Sequence, residues 1–83
     1  MKIQYLTWLH EKTGKHEDTI ELPNDVTDIE GLMRYLETNK LECASVFKNR
    51  NAVYTAVNDE IRTLEFEIQD SDNISFFAAI VGG

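Results

Sequence analysis

One amphipathic helix, set among strand-forming segments, limits what this chain can build. Ile29, Leu32, Met33 and Leu36 fall at i, i+3, i+4 and i+7, which gathers them into a single apolar stripe. Thr27 and Glu30 stand at capping-box spacing, which predicts a helix that opens with the Thr27 oxygen on the Glu30 amide and the glutamate reaching back. Asn39 is the predicted left-handed stop. Gly31 is poor for helix propensity, so its missing side chain points to close packing. A lone stripe of this kind is read as the face laid on a sheet rather than as a cofactor site.

The sheet has to come from the flanking segments. Residues 2–9 are rich in strand formers with no breaker, and His10-Glu11-Lys12-Thr13-Gly14-Lys15 has the composition of a hairpin loop. Thr19-Ile20-Glu21-Leu22 alternates as a half-buried strand should, and Pro23-Asn24 stops it. Beyond the helix, Leu41 to Phe47 is a short helix-compatible apolar segment and Lys48-Asn49-Arg50-Asn51 a polar loop. Residues 53–57 and 61–64 are further predicted strands, joined by an Asn58-Asp59 turn. Asp70-Ser71-Asp72-Asn73 then turns the chain into a last strand over 74–79. Strand, strand, helix, strand, short strand, strand reads as an α+β fold: one mixed sheet crossed by one main helix.

Composition narrows the function. With 83 residues there is room for one domain, 1–83, and one modest core. Chains near this size bury only about 60% of their unfolded surface, a poor frame for a deep catalytic pocket. The net charge is −7, from 15 acidic and 8 basic residues, which disfavours nucleic acid and anionic membrane. The same charge suits steering toward a basic protein partner, or simply keeps a small domain in solution. No apolar run is long enough to cross a membrane, and Met1-Lys2-Ile3-Gln4 lacks a signal-peptide layout, so the cytoplasm is the expected location.

Residues that often carry chemistry are sparse. A single Cys43 cannot form an internal disulfide and is assigned a packing role. His10 and His16 have no ligand cluster at metal-binding spacing, which predicts solvent exposure and no metal. Asp70-Ser71-Asp72 opens like a calcium loop, but Ile74 stands at a ligand position, so it is a turn. Glu65 and Glu67 are expected to face water or a basic partner.

The chain ends in Gly82-Gly83, directly after the strand-like run 74–81. Two glycines in succession there arise by chance in roughly one chain in 200, so the ending is suggestive by itself, with an ordinary frayed end as the alternative, and gains weight only if the rest of the chain fits. Backbone without Cβ atoms passes through channels closed to other residues. Residues 78–83, extended at about 3.3 Å each, reach roughly 20 Å, enough to enter a neighbouring subunit.

Several of these segments together resemble a known family. Ile20-Glu21-Leu22-Pro23 before the helix, Ala56-Val57-Asn58, Asp70 to Phe77 and the closing Gly82-Gly83 resemble the small subunit of molybdopterin synthase, a ubiquitin-like β-grasp sulfur carrier. The likeness spans the whole chain and is most specific over residues 56–83. Ala78-Ala79 stands where that family often has two prolines, and Ser71 replaces a turn glycine.

The resemblance implies a flexible Gly-Gly tail with the chemistry at Gly83. A carboxylate with a pKa near about 3.5 is ionised at neutral pH and resists nucleophiles. A ubiquitin-activating-like adenylyltransferase, using ATP, would adenylate Gly83, and a sulfur donor protein would then displace AMP to leave a thiocarboxylate. In that family the sulfur goes to a cyclic pyranopterin monophosphate held by the large synthase subunit, in a heterotetramer, during molybdenum cofactor biosynthesis. Gly82, Val81 and Ile80 would be the approach, no bound cofactor is implied, and acid–base groups would belong to the partners. Alternation places Phe77 on an outward face with Leu6 and Trp8, and Ile61 nearby, as the expected partner interface. The alternatives are a carrier for thiamine thiazole synthesis and a ubiquitin-like modifier or interaction module.

Overall fold

Five strands form one mixed sheet: β1 (Lys2–Tyr5), β2 (Glu17–Thr19), β3 (Val53–Val57), β4 (Glu60–Arg62) and β5 (Asn73–Ala78). Their spatial order is β2-β1-β5-β3-β4. Helices α1 (Ile29–Asn39) and α2 (Leu41–Phe47), then a 3-10 turn at Arg50–Ala52, connect β2 to β3. The computed structural model describes residues 1–6, 9, 14, 16–48 and 50–78, with only the backbone of Leu41, Glu42, Ser45 and Asn51. The central pair, β1 with β5, is parallel, and the other pairs are antiparallel.

One face of the sheet carries the core. Ile3 and Tyr5 of β1, Val53 and Val57 of β3, and Ile74 and Phe76 of β5 are buried with Ile29, Leu32, Met33 and Leu36 of α1. The predicted helical stripe is therefore the face laid on the sheet. Phe76 sits between Tyr5, stacked at 6.2 Å, and Phe47, edge-on at 4.7 Å. Burying one such side chain stabilises by about 1.5–3 kcal/mol, so these layers hold the fold. Cys43 is buried, with its sulfur 3.7 Å from the Tyr5 hydroxyl, in keeping with a packing role.

Both ends of α1 differ from the sequence expectation. The N-cap is Asp28, not Thr27: the Asp28 carboxylate accepts the Gly31 amide at 2.8 Å. The next amides already have partners, because Ile29 donates to the Phe66 carbonyl and Glu30 to that of Leu64. The 63–68 segment thus caps the helix with its own backbone, and Thr27 has no amide left to take. Gly31 packs closely here: a Cβ would meet the Asp28 side-chain oxygen at 3.1 Å, tight enough that the cap would have to shift slightly. At the far end Asn39 stays helical, and its side-chain amide donates to the Tyr35 carbonyl at 2.9 Å. Lys40 (φ −130°) then leads straight into α2 with no left-handed residue.

Three strand boundaries also shift. Pairing with β1 covers Glu17–Thr19 rather than 19–22, because the Leu22 amide turns to the Asp70 carboxylate at 2.8 Å. Ile20 still exchanges backbone hydrogen bonds with Met1, donating at 3.0 Å and accepting at 2.7 Å, whereas Leu22 packs on the core with its amide turned to Asp70. The first strand ends at Tyr5 instead of running to residue 9, and β4 ends at Arg62 rather than 64. Arg50 is not a solvated loop residue: it donates to Glu30, Glu37 and the Phe47 carbonyl, clamping the 3-10 turn to both helices. Those carboxylates raise its pKa against the opposing effect of its own burial. The Asn58-Asp59 turn has φ of 51° and 71°, as a two-residue hairpin closing Val57 onto Glu60 requires.

Candidate docking face and carrier tail

The face of the sheet away from the helices is the candidate site. Side chains alternate across each strand, and residues opposite each other in a ladder share a face. Lys2 and Gln4 in β1, Asn73, Ser75 and Phe77 in β5, Tyr54 and Ala56 in β3, and Ile61 in β4 therefore project together. Leu6 follows β1 on the same side, tied by its amide to the Phe76 carbonyl at 2.8 Å.

This face is divided by chemistry. Where β1 and β5 begin it is polar: Lys2 pairs with Glu17 at 3.5 Å, and Ser75 meets Gln4 at 3.4 Å. Where β5 ends it is apolar. Leu6 and Tyr54 flank Phe77 there, 43% and 49% exposed, and Ile61, 65% exposed, stands one row away beside Ala56, in line with Ser75 and Gln4; these are the large hydrophobic side chains most open to solvent among the described residues. Phe77 is half-buried rather than a free surface aromatic, because Tyr54 stands edge-on to it at 5.6 Å. The last described residue of β5, Ala78, pairs with Val53 at this same end.

Of the predicted interface residues, the structure brings Leu6, Phe77 and Ile61 to one face. Trp8 lies outside the described residues, as do Ile80, Val81, Gly82 and Gly83. Tyr54 was missed. The signal lay in its parity: it is outward when Val53, Thr55 and Val57 are inward, but only the register Tyr54↔Phe77 places it in the patch.

Little else among the described residues offers chemistry. No group of three His, Cys, Asp or Glu side chains lies close enough to hold a metal ion, and no helix is long and apolar enough to cross a membrane. The depressed pKa of Asp70 comes from the Leu22 amide and then the Met1 ammonium, which is structural clasping at the other end of the sheet.

Comparison with known proteins decides the family. The model of the ThiS family matches residues 3–83. The chain belongs to the ThiS family. No curated protein matches the sequence. Among solved structures, a Pyrococcus furiosus protein provisionally named molybdopterin converting factor, subunit 1, superposes with a TM-score of 0.74 at 22% identity, covering 95% of each chain. Small archaeal modifier protein 1 of Haloferax volcanii gives 0.75 at 16% identity over 100% of this chain and 98% of that one. The protein of the same name from Methanosarcina acetivorans gives 0.70 at 18%, over 99% and 94%. At these identities the likeness is one of fold: the ubiquitin-like β-grasp. ThiS-family sulfur carriers pair with partner proteins, and an exposed apolar patch at the end of β5 is a surface suited to that.

Proposed function

We propose that this chain is the sulfur-donating subunit of a molybdopterin synthase. The observation that carries the sulfur-carrier part of the proposal is the family match over residues 3–83 on a β-grasp body. Gly83 is adenylated by an activating partner that uses ATP, and the carboxylate oxygen leaves with AMP when sulfur attacks. The resulting thiocarboxylate is a soft nucleophile that adds sulfur to an electrophilic carbon of a cyclic pyranopterin monophosphate in the large subunit. Gly82, Val81 and Ile80 thread the approach, and the patch of Leu6, Tyr54, Ile61 and Phe77 seats the body at its mouth. Trp8 joins that contact. General acids and bases come from the partners, and the reaction is placed in the cytoplasm.

Support for the pterin pathway in particular comes from the Phe76-Phe77 strand leading to Gly-Gly and from the Pyrococcus neighbour. The family model fits equally a second reading, the carrier of thiamine thiazole synthesis, and the archaeal neighbours suggest a third, a protein modifier. Reconstitution with each acceptor system separates them. Sulfur delivered to the pterin precursor by a complex with two copies of each subunit supports the proposal; delivery only to the thiazole pathway, or conjugation to lysines, replaces it. Deleting Gly83 abolishes transfer without unfolding the domain, and full activity of that variant ends the carrier role.

A further inference from the structure

The polar end of the outer face holds a recognition site of its own. A cavity of about 360 Å³ lies there, lined by Lys2 and Gln4 of β1, Asn73 and Ser75 of β5, and Asn58 and Asp59 of the β3–β4 turn. β5 runs between β1 and β3, so Asn73 and Ser75 form the floor and the other four side chains stand at its sides. All six are exposed or half-buried, so an occupant reaches them directly from solvent.

Most of these groups are already engaged. Lys2 faces Glu17 at 3.5 Å, and the Ser75 hydroxyl donates to Gln4 at 3.4 Å. The Asn58 side chain donates to Asp72 at 2.9 Å and accepts the Asn73 amide at 3.0 Å. The Asp59 carboxylate and the Asn73 side-chain amide have no partner among the described residues.

The balance of charge selects a cation. Glu17 offsets Lys2, whereas Asp59 and Asp72 leave a surplus of negative charge on the turn side. Two strand spacings, about 9.6 Å, separate β1 from β3, so a cation beside Asp59 is about a Debye length from Lys2. An anion meets the Asp59 carboxylate instead, and an apolar group strips water from it without replacing the lost hydrogen bonds. A guanidinium carries five donors in a planar fork: one edge pairs with the Asp59 carboxylate while another N–H reaches the Asn73 side-chain oxygen. An ammonium offers only a point charge.

Location names the source. Asn73 lies four residues before Phe77 in β5, about 13 Å away, and a standard interface of about 800 Å² per partner is roughly 30 Å across. A protein centred on the apolar patch therefore covers the cavity as well. We propose that the cavity between Lys2 and Asp59 receives an arginine side chain of the protein that docks on this face, with Asp59 as its carboxylate partner and Asn73 as a second acceptor. This rests on the docking reading above and adds the charge that the partner presents at this end.

The test titrates N-acetyl-arginine methylamide into the isotope-labelled full chain and follows amide shifts, with the lysine and citrulline analogues as counterparts. Saturable shifts centred on Asn58, Asp59, Asn73 and Ser75 are expected, with the arginine probe bound at least threefold tighter than either analogue. Asp59→Asn weakens arginine binding by about 3- to 5-fold. Asparagine suits the left-handed backbone at this position (φ 71°), so the hairpin keeps its shape. Asp25→Asn, which removes the same charge from an exposed site before α1, leaves binding within twofold. Shifts that never saturate, or that both variants alter alike, overturn the site; equal binding of either analogue overturns the choice of arginine. The same variants are then titrated against the large subunit of the proposed synthase. A loss of about tenfold with Asp59→Asn alone supports an arginine in the interface. Unchanged affinity of Asp59→Asn, with Ile61→Asp still impaired, overturns that placement and leaves the docking reading standing; if neither variant loses affinity, both fall.

Discussion

Replacing Ile61 with aspartate separates docking from folding more cleanly than any other change on the outer face. Ile61 is 65% exposed on an edge strand, and its ladder partner is the small Ala56. Little of the core is uncovered when its side chain goes. Surface substitutions move stability by about 0.5 kcal/mol, and the strand-propensity scale spans about 1 kcal/mol, so Ile61→Asp costs folding at most about 1 kcal/mol. Docking is hit much harder. If the patch is covered by a partner, burying isoleucine contributes about 1.5–3 kcal/mol, and an unpaired carboxylate in its place adds a penalty of about 1–3 kcal/mol. The sum is about 3 kcal/mol or more, a loss of roughly 100-fold in affinity. Calorimetry against the large subunit of the proposed synthase measures it, with urea unfolding as the stability control. Gln4→Ala, at the polar end of the same face, changes affinity by less than about threefold. Affinity of folded Ile61→Asp within twofold of wild type refutes the assignment of this face.

Two further predictions concern the body that carries the patch. Gly31→Ala gains about 1 kcal/mol of helix propensity but pushes against the Asp28 cap, itself worth about 1 kcal/mol, so the change is close to neutral in wild type. In an Asp28→Ala background the obstruction is gone and the same substitution stabilises by about 1 kcal/mol; equal effects in both backgrounds, by urea unfolding, contradict the cap geometry. The Asp70 carboxylate is held below its ordinary value of 3.8 by the Leu22 amide and the Met1 ammonium. Its folded pKa is depressed, so its stabilisation is present above the unfolded value and is lost as pH falls through the folded one. Asp70→Asn is therefore less stable than wild type at neutral pH, and the gap closes in acid; a gap independent of pH removes the clasp.

How much was legible in the sequence follows from which interactions are local. The α1 stripe, the Asn58-Asp59 hairpin and the parity of β5 are set by residues a few positions apart, and each was readable. The α1 cap was not, because the carbonyls of Leu64 and Phe66 that take the Glu30 and Ile29 amides come from far along the chain. Arg50 read as loop for the same reason: its carboxylate partners lie 20 and 13 residues away. The outer patch was half legible. Leu6, Phe77 and Ile61 follow from alternation, whereas Tyr54 needs the register that sets it against Phe77.

Intact mass spectrometry of the chain, after incubation with a ubiquitin-activating-like enzyme, ATP and a sulfur source, tests the sulfur-carrier proposal most directly. Exchange of one carboxylate oxygen for sulfur adds about 16 Da, and fragmentation should place that gain on Gly83. An unchanged mass under conditions where the enzyme activates a known carrier, or a gain located anywhere but Gly83, contradicts it.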